Sequence, residues 1–204
     1  MPVAVRGAKR PACGWPAMTA SAPIVYRIDK HAEIVFVNQA WDEFAKQNNG
    51  LGASSAAVLN RSLWSFVGDA SLRGLYHQIV ERVRQGANLK FGFRCDSASM
   101  MRWFEMQVIQ VDDDLVEFRS ELLKEQERRA VPLLDVDQVR AGASVKACSI
   151  CLKLQIGERW LSMEEALAEQ NFLERESLPE LRHEICRPCF ESMYEEVTGP
   201  KHAV

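Results

Sequence analysis

From residue 24 the chain settles into short apolar runs broken by polar turns. Ile24-Val25-Tyr26-Arg27-Ile28 is followed by Asp29-Lys30-His31-Ala32 and then by Ile34-Val35-Phe36-Val37. Two β-rich runs around a turn-forming stretch predict a β-hairpin. Asn38 stands where a helix needs its N-cap, and Trp41, Phe44 and Ala45 then recur at helical spacing as far as Asn48-Asn49-Gly50. Residues 51–60, rich in Gly, Ala and Ser, read as a loop or a weak helix. After the short apolar Trp64-Ser65-Phe66-Val67, Asp69 predicts the cap of a longer helix to about residue 85. Its stripe is Leu72, Leu75, Tyr76, Ile79, Val80 and Val83, and Gly86 is its stop. Strands are expected over 89–95, 102–111 and 115–123, the last two joined by a tight turn at Asp112-Asp113-Asp114.

Beyond these strands the pattern changes. Residues 121–143 hold Lys124, Glu125, Glu127, Arg128 and Arg129 and then cross Pro132, which predicts a charged linker, helical at first and broken before the proline. Two C-x-x-C pairs follow, Cys148-Ser-Ile-Cys151 and Cys186-Arg-Pro-Cys189. Four thiolates in two such pairs match tetrahedral zinc, because the two-residue gap lets both sulfurs of a pair face one point. Gly157 allows a short hairpin after the first pair, placing that pair on a knuckle. Ser162 and Glu165 form a capping box for a helix to about residue 174. Pro188 suits the first turn of a helix over 187–197, which would place Cys189 at a helix N-terminus. His183 is a weaker candidate ligand, expected beside the site or on the surface.

The order β-β-α-α-β-β-β, with Tyr26-Arg27-Ile28-Asp29…Ile34-Val35-Phe36-Val37-Asn38…Trp41…Phe44-Ala45, resembles a PAS domain over about residues 24–125. The resemblance implies a five-stranded antiparallel sheet with flanking helices, used for sensing and dimerisation. The knuckle, hairpin and helix-start pair look like a treble-clef zinc fold. The longer phrase, from Cys148-Ser-Ile-Cys151-Leu-Lys153 to His183-Glu-Ile-Cys186-Arg-Pro-Cys189-Phe190, resembles a module appended to bacterial PAS-type signalling proteins. The expected class is therefore α+β: a leader over 1–23, a PAS-like unit over 24–125, a linker over 126–144 and a zinc module over 145–198. Residues 1–23 carry four prolines and no apolar signal core, and Met18 is an alternative start.

Composition narrows the function. The chain has 204 residues, 47% hydrophobic and 26% charged, and its formal charge is only −3. Those values predict folded domains and no general polyanion partner. No apolar run approaches the roughly 20 residues needed to cross a bilayer. Paired cysteines without an export signal point to a reduced, cytoplasmic setting. A phosphate loop, an H-E-x-x-H helix and a G-x-S-x-G turn are all absent from the sequence. The reading is a non-catalytic adaptor, in which the PAS-like unit detects a small molecule or a partner and the zinc module contacts other signalling proteins, with a homodimer as the expected assembly.

Two alternatives differ in class. The zinc module could touch nucleic acid, but residues 146–197 carry six basic and eleven acidic residues, 6 − 11 = −5, and phosphate contacts need clustered Lys and Arg. The PAS resemblance implies that a haem sensor would hold its haem through a histidine on the long helix. His77 is the one there, and helical geometry turns it toward solvent. A ligand cavity would draw on Tyr26, Phe36, Trp41, Phe44, Trp64 and Phe66, and on Phe91, Phe93, Trp103 and Phe104. Arg94, Asp96 and Arg102 are expected as exposed ion pairs, and Cys95 as a reduced buried thiol.

Overall fold

The computed structural model describes residues 22–135, 138–141, 144–170, 172 and 177–199. The leader over 1–23 lies outside them apart from its last two residues. Strands β1 (Ile24–Ile28) and β2 (Ile34–Val37) form the hairpin. Asn38 then caps α1 (Gln39–Gln47) by accepting from the Trp41 amide. The same side chain takes the Val25 amide and donates to the Pro23 carbonyl, so one residue fixes both the helix start and the strand entry. A 3-10 turn (Leu51–Ala53), α2 (Ser55–Val58) and a second 3-10 turn (Leu63–Ser65) occupy the weak stretch. Helix α3 (Ala70–Arg84) is capped by Asp69 and stops at Gly86, whose φ of +87° is open to glycine without strain.

Strands β3 (Leu89–Arg94), β4 (Met100–Asp112) and β5 (Leu115–Glu127) complete a five-stranded antiparallel sheet in the order β2-β1-β5-β4-β3. This is the sheet with flanking helices that the PAS-like reading expects. Its core joins Ile28, Val108, Val116 and Phe118 to Leu75, Ile79 and Val83 of the α3 stripe. Each such side chain contributes about 1.5–3 kcal/mol when fully withdrawn from water.

The charged stretch after residue 121 departs from expectation. β5 continues to Glu127 in register with β4, pairing Arg102 with Glu125 and Met100 with Glu127, so no linker helix forms. A long β4 pairs with that stretch as far as Glu127, bulging only at Leu123, which outweighs its helix-favouring composition. The next segment is not a solvated connector either. Val131 and Leu133, the latter in a 3-10 turn (Pro132–Leu134), are buried with Leu154, Met163, Ala166 and Phe172.

The second unit is a four-stranded sheet, β8-β7-β6-β9, of β6 (Val145–Cys148), β7 (Leu154–Ile156), β8 (Arg159–Leu161) and β9 (Leu181–Glu184). Gly157 turns the β7–β8 hairpin at φ +60°. The Ser162–Glu165 box forms reciprocally and starts α4 (Met163–Gln170); the expected end near residue 174 falls on 171 and 173–176, which lie outside the described residues. Helix α5 (Arg187–Thr198) begins at Cys186 with Pro188 in its first turn.

The two units share one core. Ile150, Met193 and Val197 join the cluster built by α3 and the first sheet. Arg82 of α3 donates to the Val197 and Gly199 carbonyls, 2.9 Å each, closing the C-terminal end of α5. Arg82→Ala leaves those carbonyls without their cap. It is expected to cost about 1–2 kcal/mol and to speed amide exchange in the last turn of α5 while leaving β1–β5 protected; unchanged exchange there would count against the clamp.

Candidate functional site

The metal candidate is built by two local devices. On the knuckle, the Cys148 amide donates to the Lys153 carbonyl and the Leu152 amide to the Cys148 carbonyl, with Leu152 in the left-handed region at φ +58°. That turn brings Cys148 and Cys151 to the same side. Across from them, β9 runs parallel to β6 and delivers the chain to Cys186, the N-cap of α5, with Cys189 in the first helical turn. All four Sγ atoms lie within 4.8 Å of one another, and Cys151 and Cys186 are 3.8 Å apart. A tetrahedron with Zn–S bonds near 2.3 Å has edges of about 3.8 Å, so the cage fits a tetrahedral ion. The Cys186 amide points at Cys148 Sγ, 3.4 Å away, as amides around a metal-bound thiolate do.

The sulfurs also act on one another. Cys148 is held far below the ordinary thiol range because Cys151 and Cys189 donate to it and the Cys186 and Cys151 amides add to this. Cys151 is pushed up to about 12, chiefly by giving its proton to that hydrogen bond, and Cys189 is pushed up by its bonds to Cys148 and Cys151. A divalent ion bound here would hold its cysteine ligands as thiolates. His183 lies exposed on β9, outside the sulfur cluster. Arg187 pairs with Glu191 one turn along α5.

A second site lies in the first unit. A chamber of about 340 Å³ opens between α1 and the sheet, lined by Tyr26, Trp41, Phe44, Phe93, Phe104 and Met106 and closed by Asn48, Cys95 and Ser120. Half of the aromatic residues expected there are present. Phe36 and Phe66 are instead exposed under the guanidinium groups of Arg27 and Arg61. Strand alternation turns Trp103 to the outer face, between Arg94 and Lys124. Trp64 stacks on His77, ring centroids 3.7 Å apart, on the exposed side of α3. His77 therefore does not line the chamber. Burial raises the Cys95 thiol above its usual range, with Arg102 opposing and Asp96 adding, so a neutral thiol meets the chamber.

Arg94, Asp96 and Arg102 are not exposed ion pairs. The Asp96 side chain is 1% exposed; it pairs with Arg94 and with Arg128 at 3.2 Å and accepts the Arg102 amide at 3.1 Å. Arg128 also reaches the Ser97 carbonyl and Glu164 of α4, which ties β5 to the second unit. Sequence reasoning left Arg128 in a solvated linker, and no local signal placed it opposite Asp96.

No protein-family profile and no curated protein matches this chain. Solved structures similar to it include a domain of an HTR-like protein from Haloarcula marismortui, 17% identical over 51% of this chain and 100% of that one, with a TM-score of 0.36. The PAS domain of the Cronobacter turicensis RpfR quorum-sensing receptor, solved in complex with C12:0, is 12% identical over 53% and 100%, TM-score 0.38. The PAS domain of BvgS from Bordetella pertussis is 19% identical over 52% and 79%, TM-score 0.37. Among the described residues no helix is long and apolar enough to cross a membrane.

Proposed function

We propose that this chain is a non-catalytic, cytoplasmic sensor and adaptor. The chamber takes up a small molecule, and a zinc-held module carries the resulting state to a partner protein. One observation supports the coupling most. Phe93 and Cys95 line the chamber, and the residue between them, Arg94, donates its amide to the Ile150 carbonyl on the cysteine knuckle at 2.8 Å. A change at the chamber wall therefore reaches the metal site through one strand end. Cys148, Cys151, Cys186 and Cys189 would hold the ion, fill all four positions and leave no open place for water, so the zinc stabilises and does not catalyse. The net negative charge of residues 146–197 favours a protein partner over nucleic acid.

Native mass spectrometry of the untreated full chain tests this reading. One zinc per chain together with a bound organic mass is expected, and the subunit number is read from the same spectrum. A chain free of metal, or one carrying haem or flavin, would overturn it.

A further inference from the structure

The polar groups that line the chamber are few and uncharged. Tyr26 is 8% exposed and Ser120 7%, both line the chamber, and neither hydroxyl is hydrogen-bonded to a described residue. Neither oxygen is sealed within protein; both residues line the chamber's open space, so these two hydroxyls mark where a ligand atom would be received. Asn48 is already committed, donating its side-chain amide to the Phe44 carbonyl and accepting from Arg102.

Charge stays outside. A polar recess of about 390 Å³ adjoins the chamber and shares Ile24, Phe44, Phe104 and Ser120 with it. Its ionic lining is Glu43, Glu125 and Arg102, or 1 − 2 = −1. Arg102 is held by Asn48 at 2.9 Å and faces Glu125 at 3.9 Å. An anion would meet net negative charge at this entrance. An ammonium group would find its carboxylates only in the recess and would lose its hydration inside the chamber. The aromatic walls, in turn, favour flat ligands through offset or edge contacts.

Resting on the sensing reading above, we propose that the chamber selects a neutral, flat, mainly apolar molecule bearing one carbonyl-type acceptor, which the Tyr26 hydroxyl engages. Burial holds the Tyr26 phenol well above its ordinary pKa, with Tyr76 adding to the effect, so the group is a donor at neutral pH. The volume lies at the small end of the roughly 300–1,000 Å³ typical of ligand sites, which suits a bicyclic aromatic ketone or lactone better than a nucleotide-sized cofactor.

The test is a backbone-amide NMR titration of the zinc-loaded full chain with acetylnaphthalene, ethylnaphthalene and naphthoate. These three share a ring and nearly a shape and differ in acceptor and charge. The ketone is expected to bind about fivefold tighter than the ethyl compound, one net hydrogen bond, and naphthoate weakest. Tyr26→Phe keeps the ring that stacks on Phe118 and should erase the ketone's advantage while leaving ethylnaphthalene unchanged. The ranking in the unaltered chain decides the matter even if the variant folds poorly. Equal binding of ketone and ethyl compound overturns the acceptor claim and leaves sensing intact, and tightest binding of naphthoate overturns the charge claim. No binding by any of the three overturns both the ligand class and the sensing reading.

Discussion

Cys186→Ser is expected to abolish metal binding and to unfold the module from β6 to α5. Cys186 is 2% exposed, caps α5 and presents its amide to Cys148. Serine is itself a favourable N-cap, so the substitution preserves the helix start and removes only the sulfur. Structural zinc is worth about 10–16 kcal/mol in isolated finger peptides at neutral pH, as much as or more than the roughly 5–15 kcal/mol of net stability of a typical domain. Because Ile150, Met193 and Val197 also cover α3 and the first sheet, the remaining sheet should melt at a lower temperature. Metal analysis with circular dichroism would check this; a variant that keeps its zinc and melts like the unaltered chain would contradict it.

Asp96→Asn is the second large effect. Asparagine is nearly isosteric and can still accept the Arg102 amide, so the change isolates the charge. Without it, the Arg94 and Arg128 side chains, 18% and 7% exposed, lose their only buried counter-ion among the described residues. Breaking a buried pair from one side costs about 3–5 kcal/mol, because the partner charge stays behind. Urea unfolding at constant slope should show a loss near that range. A change within about 0.5 kcal/mol, as for an ordinary surface site, would mean that the cluster does not bear on stability.

Local chemistry was legible in the sequence. Asn38 and Asp69 cap the helices assigned to them, Ser162 and Glu165 form their box, and the four cysteines converge on one point from opposite sides of the module. These features depend on residues a few positions apart, or on one chemistry shared by like residues. What the sequence concealed depends on distant partners. The run from Lys124 to Glu127 reads as helix until β4 is present to pair with it. Asp96 reads as a surface charge until Arg128, 32 residues later, covers it. The aromatic set was correct in type, but strand alternation and the cationic stacking of Phe36 and Phe66 removed half of it from the chamber.

If zinc holds the knuckle docked on the strand end that walls the chamber, the Arg94 amide reports on it directly through its bond to the Ile150 carbonyl. Hydrogen exchange at that amide should be measured in zinc-loaded and chelator-treated protein. Strong protection with zinc and loss of it on chelation are expected, while the Tyr26 amide in β1 stays protected. Arg94 protection that survives complete removal of the metal would contradict it.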